Sequence, residues 1–337
     1  MAWLPVAAMI LLWAAALWLD RAERLDWRMA TLLYVPTAPA LAVWAPVFLV
    51  SVLIGRSWPA ALAGLLLSAL WYFQDFRFGP GLVPARPEQS RELRILTWNC
   101  GENEAPSIGE VVGVYRPDVV VVQDYWRGKL DYPHEKRAGE FACFSRFPIV
   151  SGDLLPLPED ARHRGRKNMA GRFVLEDARR RFAVYAVHMP TPRNQLNGGM
   201  DRLTGGRVRW MGGEGGGQWT GDENAHWDWR IKAGQALAHR VAEEKFPVIV
   251  AGDFNAPPFG AMERPFSGLL RDAHVAAGQG HGDTFPGDQQ GWWALVAPWL
   301  RLDRILVSDE WEVLGCGTAD SERWEHRPVI ADVVRKD

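Results

Sequence analysis

Between residues 93 and 333 the chain returns eight times to a short run rich in β-formers. These runs are Leu93–Trp98, Val119–Val122, Phe141–Ser145, Gly171–Leu175, Phe182–Val187, Val248–Ala251, Arg304–Val307 and Val329–Val333. Two stretches between them read as helix, Ile108–Tyr115 and Trp227–Glu244. In the second, Trp229, Ala233, Ala236, Leu237 and Val241 recur at helical spacing. So many strands with helices between them imply an α/β domain with more than one sheet.

Polar residues gather at the ends of these runs. "VIVA" leads into Gly252-Asp253-Phe254-Asn255 and stops at two prolines. Side chains alternate along an extended chain, so Asp253 and Asn255 are expected to share a side, with Phe254 turned back into the protein. Gly252 permits close backbone approach there. A plain Asx turn would leave the same letters. Elsewhere, Asn99 follows the first run, Gln123-Asp124 the second, and His188 the fifth. Asp303 opens "DRILVS", and Glu325-His326 precedes the last run. Each position alone reads as a solvated strand end. Together they supply hard oxygen ligands, two imidazoles and an amide donor. Such a set suits Mg²⁺ or Mn²⁺ and the cleavage of a phosphate ester.

"LTWNC", "PDVVVVQD", "FSRFPI", "AVHMP", "VAGDFNAPP", "LDRILVS" and "WEHRPVIADV" resemble, in order across residues 93–334, the successive motifs of the endonuclease/exonuclease/phosphatase superfamily, the deoxyribonuclease-I-like fold. The resemblance implies a four-layer α/β sandwich with two mixed β-sheets and divalent-metal-dependent phosphoester hydrolysis. It implies that Asp253 positions or activates the attacking water and that Asn255 bonds a phosphate oxygen. His326 corresponds to the histidine beside the scissile phosphate, Asp303 to the carboxylate that orients a catalytic histidine, and His188 to a second histidine near the phosphate or leaving group. Asn99, Asp124 and Glu325 correspond to the metal side. The general base stays open between Asp253 and His326. Two positions depart from the family pattern. Gln-Glu is here Gln123-Asp124, one methylene shorter, and Asp-His is here Glu325-His326, one methylene longer. If both carboxylates face one ion the changes compensate; the alternative is a weakened metal site.

The first 90 residues differ in kind. They hold six Lys/Arg and five Asp/Glu, against 32 and 35 in the remainder. Three apolar stretches, Trp3–Leu19, Met29–Ile54 and Trp58–Phe78, each approach the roughly 20 residues of a membrane span. Aromatic residues near their ends suit the membrane interface. The reading is a multi-pass helical transmembrane region over 1–78, a Pro/Gly linker over 79–92, and a catalytic domain over 93–337. A cleaved signal peptide and a buried soluble hairpin are the rivals. Arg21, Arg24 and Arg28 in the first loop put that loop and the large domain on the cytoplasmic side of the cell membrane by the Lys/Arg rule.

Near-balanced charge, 38 basic against 40 acidic residues, excludes a nucleic-acid coat protein but not a nuclease. Three scattered cysteines give neither a disulfide framework nor a zinc site. Arg162, His163, Arg164, Arg166 and Lys167 make a basic loop that could track phosphates. Ten glycines fall between Asn197 and Gly221, which reads as a loop with no core of its own. The expected partners are membrane lipid and a phosphoester, either nucleic acid or a phospholipid headgroup; no protein partner is evident. The rival function is a catalytically silent membrane-bound module on the same fold. A transporter is disfavoured because the apolar stretches hold almost no ionisable residue.

Overall fold

The computed structural model describes residues 34, 38–54, 58–73, 75–82, 92–101, 108–125, 128–158, 168–178, 180–192, 223–258, 260–287, 297–319 and 325–336. Two six-stranded sheets form its centre. In chain order the first strands are β1 (Arg77–Phe78), β2 (Leu93–Asn99), β3 (Val119–Gln123), β4 (His134–Ala138), β5 (Phe141–Ser145), β6 (Ile149–Pro156), β7 (Asn168–Asp177) and β8 (Arg180–His188). They continue as β9 (Val248–Asp253), β10 (Arg271–Asp272), β11 (Gln279–Gly280), β12 (Asp303–Val307), β13 (Trp311–Thr318) and β14 (Val329–Arg335). One sheet has the order β10-β12-β9-β8-β7-β6, the other β13-β14-β2-β3-β5-β4. Each sheet is mixed: β8–β9 and β2–β3 are parallel, the rest antiparallel.

Three apolar layers hold the sheets. Ile95, Val121 and Phe141 of one sheet face Phe173, Val184, Ile249 and Ile305 of the other across the central layer. The helices are α1 (Ala38–Leu53), α2 (Trp58–Phe73), α3 (Ile108–Tyr115), α4 (Glu223–Ala242) and α5 (Ala273–Ala277). α4 packs Ala233, Leu237 and Val241 on the outer face of the β7–β9 sheet. α3 packs Ile108 and Val111 on the outer face of the other. This α/β/β/α layering is the arrangement expected from the motifs. All eight expected strands and both expected helices form, most a residue or two longer. β4, β6 and β13 were not foreseen. "HEKRA" is polar almost throughout, and β4, β6 and β13 all run along sheet edges, where burial stamps no clean alternation on the sequence.

The expected transmembrane region is where the structure departs most. Trp3–Leu19 lies outside the described residues. Within Met29–Ile54 the described helix is Ala38–Leu53, and Tyr34 is buried in the core of the large domain. Trp58–Phe78 leaves its helix at Phe73; Tyr72 and Phe76 then set their rings against His281, and β1 pairs with β11. Each helix has 16 residues. Among the described residues no helix is long and apolar enough to cross a membrane. The start of the expected linker is docked as well: the Gly79 and Gly81 amides donate to Gly278 O and Ala277 O at 2.8 and 3.0 Å. The first interhelical loop, residues 83–91, the basic loop 161–167 and the glycine-rich stretch 197–221 lie outside the described residues.

Candidate active site

The parallel pairing of β8 with β9 sets His188 beside Asp253, and the antiparallel pairing of β12 with β9 sets Asp303 on its other flank. Gly252 makes this crossing possible. Its φ is +148°, and a Cβ there would meet Val187 O at 2.0 Å. The facing sheet brings Asn99 at the end of β2 and Asp124 just after β3. His326 enters from the segment before β14, where Trp98 Nε1 donates to its carbonyl at 2.9 Å. Strands that end together thus gather residues more than 200 positions apart.

Asp253, only 1% exposed, is the hub. Its Oδ2 accepts from Asn99 Nδ2 and from Asn255 Nδ2, each at 2.9 Å. Its Oδ1 accepts the Asn255 backbone N–H at 2.7 Å. That last bond is an Asx turn, so the local reading and the functional one are both realised. Asn255 is left-handed, with φ +49°, and its amide also donates to Met189 O at 2.9 Å. Phe254 turns into the core, as alternation requires.

Two imidazoles aim their Nε2 atoms at Asp253 Oδ2, His188 from 3.6 Å and His326 from 3.9 Å. Each has carboxylates behind it. His326 Nδ1 lies 2.8 Å from Asp303 Oδ2. His188 Nδ1 lies 3.2 Å from Glu140 Oε1 and 3.6 Å from Asp124 Oδ2. Burial works against a charged His326, but the Asp303 and Asp253 carboxylates outweigh it and hold its pKa up at about 9. The Thr284 hydroxyl fixes the start of β12 by accepting the Leu302 and Asp303 amides, each at 3.1 Å.

Two groups offer several ligand atoms at close range, Asp124–Glu140–His188 and Asp253–Asp303–His326, the atoms of each lying within 4.8 Å of one another. The first fits a divalent cation better. It pairs two carboxylates with one imidazole at the rim of the site, a donor set suited to a hard ion. The second is already closed by the Asp303–His326 contact, and a protonated His326 ring has no lone pair to offer a metal.

The structure therefore gathers Asn99, Asp124, His188, Asp253, Asn255, Asp303 and His326 in one place. The carboxylate that lies with Asp124 beside His188 is Glu140, and Glu325 is near enough to His326 to favour its charged form. The Asn99 amide donates to Asp253, and its Oδ1 accepts the Gly101 N–H at 3.1 Å. Glu140 was missed because it sits in the turn after the polar edge strand β4. The available signal was Gly139, whose φ of +60° closes the β4–β5 hairpin and delivers Glu140 to the site.

A model described as Endonuclease/Exonuclease/phosphatase family matches residues 96–323. The chain belongs to that family. Members of the endonuclease/exonuclease/phosphatase family are phosphoesterase hydrolases, typically dependent on a divalent metal. A functionally unknown conserved protein from Enterococcus faecalis V583 shares the fold at 12% identity and a TM-score of 0.51, covering 72% of this chain and 100% of its own. The endonuclease/exonuclease/phosphatase from Bacteroides vulgatus aligns at 14% identity, TM-score 0.49, covering 72% and 99%. The human Nocturnin catalytic domain with bound sulfate anion aligns at 17%, TM-score 0.46, covering 72% and 94%. No curated protein matches the chain significantly.

Proposed function

We propose that this protein is a divalent-metal-dependent phosphodiesterase in which Asp253 accepts a proton from the attacking water. The observation that carries this reading is the placement of Asp253 between two carboxylate-backed imidazoles and two amides. His326, held charged to about pH 9, is a proton donor at neutral pH rather than a base. That leaves Asp253 as the acceptor. Its two amide partners fix its oxygens for that task. His326 Nε2–H stabilises charge growing on the phosphoryl oxygens or leaving group, and Asp303 holds the ring in the tautomer that allows it. His188 faces the same space from the opposite side. Asn255 shifts its amide toward a phosphate oxygen when substrate enters. A Mg²⁺ or Mn²⁺ held by Asp124, Glu140 and His188, with Asn99 and Glu325 nearby in sequence motif, would neutralise phosphate charge.

The apolar hairpin favours a substrate at a lipid surface. Leu49, Val50, Leu53, Leu66, Leu70 and Phe73 are exposed on α1 and α2. On this reading the hairpin rests on a membrane and the substrate is a phospholipid headgroup; nucleic acid is the second reading. The test is hydrolysis by the purified full chain of headgroup-labelled phospholipid vesicles and of single- and double-stranded DNA, with Mg²⁺, with Mn²⁺ and with EDTA. Metal-stimulated release from vesicles is expected to exceed that from DNA. Metal-independent rates, or no hydrolysis of either, would remove the reading. Co-sedimentation with vesicles reports the hairpin separately.

A further inference from the structure

Tyr34 belongs to a segment whose composition reads as a membrane span, yet it is 1% exposed inside the hydrolase domain. Its hydroxyl donates to the carbonyl of Asn255 at 2.9 Å, across 221 positions. The same carbonyl accepts Arg230 Nη2 at 2.5 Å, and Arg230 Nη2 also donates to the Tyr34 hydroxyl at 3.1 Å. Arg230 is wholly buried and donates through Nε to Pro190 O at 2.7 Å. Its guanidinium lies 4.6 Å from the Trp227 ring centre, and Tyr34 meets that ring edge-on at 6.3 Å.

These contacts converge on one residue. The side chain of Asn255 is tied to Asp253 and Met189, and its carbonyl to Tyr34 and Arg230. Its backbone is left-handed, which non-glycine residues adopt only when surroundings hold them there. Pro190 follows Met189, so Arg230 also braces the strand end that receives the Asn255 amide. Buried polar atoms lose water and seek partners; the Tyr34 hydroxyl and Arg230 Nε and Nη2 find them in one another, Pro190 and the catalytic loop.

We propose that Tyr34 is a positioning residue for the Asp253–Asn255 loop, so that the N-terminal apolar region is built into the active site and is more than an attachment to it. The proposal rests on the phosphodiesterase reading for its kinetic consequence, though not for its structural one. Tyr34→Phe keeps the ring and removes one of the two donors to the Asn255 carbonyl. A loosened loop misaims both Asp253 and the Asn255 amide, a loss in turnover rather than in substrate affinity.

The test uses the full chain with Tyr34→Phe, Tyr34→Ala, and two controls. Val114→Ala trims an exposed apolar side chain of α3. Leu237→Ala opens the core under the same sheet and matches or exceeds any loss of Tm. The readouts are kcat and KM on a simple phosphodiester, and native-state hydrogen exchange of the segment 249–256. Tyr34→Phe is expected to lower kcat several-fold with KM changed less than twofold, and to speed exchange of that segment about tenfold. Val114→Ala should change neither, and Leu237→Ala should lower Tm without selective exposure of 249–256. If Tyr34→Phe keeps full turnover and full protection while Tyr34→Ala loses both, the ring acts by packing alone and the proposal is overturned. If the wild type does not hydrolyse phosphodiesters, the functional reading fails, and the exchange result still decides the role of Tyr34.

Discussion

Asp253 has an imidazole on each side, and the two sides are built differently. His326 meets Asp303 at 2.8 Å with both side chains almost wholly buried. His188 meets Glu140 at 3.2 Å and Asp124 at 3.6 Å, and those carboxylates are 11% and 14% exposed. A short, buried charge-assisted contact fixes geometry and protonation together. A longer contact at the rim leaves carboxylate oxygens able to take a further ligand, which a hard cation requires. On the proposed reading one side holds a proton, the other admits an ion, and Asp253 between them takes the proton of water.

The difference can be broken at several points. Asp253→Asn removes the acceptor common to both sides and should lower kcat by about 10³-fold while the fold persists, as circular dichroism and Tm would report. Near wild-type turnover would mean that neither side serves it. Asp303→Asn acts on the closed side alone. It strips His326 of its charge partner, should cost about 10²-fold in kcat, and should bring the loss of activity at high pH to lower pH. An unchanged pH profile would show that the His326 proton is not used.

Glu140→Gln acts on the open side. It should raise the Mg²⁺ concentration for half-maximal activity by about tenfold and lower saturated turnover less. A metal titration by calorimetry reads the same change without turnover. Equal effects of Glu140→Gln and Asp303→Asn on metal affinity would erase the distinction drawn between the sides. The smallest effect is on stability. The raised pKa of His326 stabilises the folded state fully below about pH 6.5, the unfolded value, and that contribution is lost as pH rises through about 9. Tm of the metal-free protein should fall across this window, and Asp303→Asn should flatten the slope.

Much of the closed side was legible in the sequence. Asp253, Asp303 and His326 stand next to strong apolar runs, which put them at strand ends, and the resemblance to the family supplied their common site. The open side was read only in part. Asp124 followed a clear strand, but Glu140 depends on a hairpin between a polar edge strand and a buried one; in "HEKRAGE" Gly139 marks a turn without showing that the turn meets His188. Tyr34 was hidden for another reason. A buried aromatic in a catalytic domain and an interfacial aromatic in a membrane segment look alike in composition, and only the fold shows that its hydroxyl has a carbonyl to meet.

The most direct measurement is hydrolysis of a simple phosphodiester by the full chain in ¹⁸O-labelled water, at saturating Mg²⁺ and after chelation. Attack of water on phosphorus beside Asp253 predicts one ¹⁸O in the released phosphate monoester, none in the alcohol, and loss of the reaction on chelation with recovery on readdition of metal. Label in the alcohol, or turnover indifferent to metal, would contradict it.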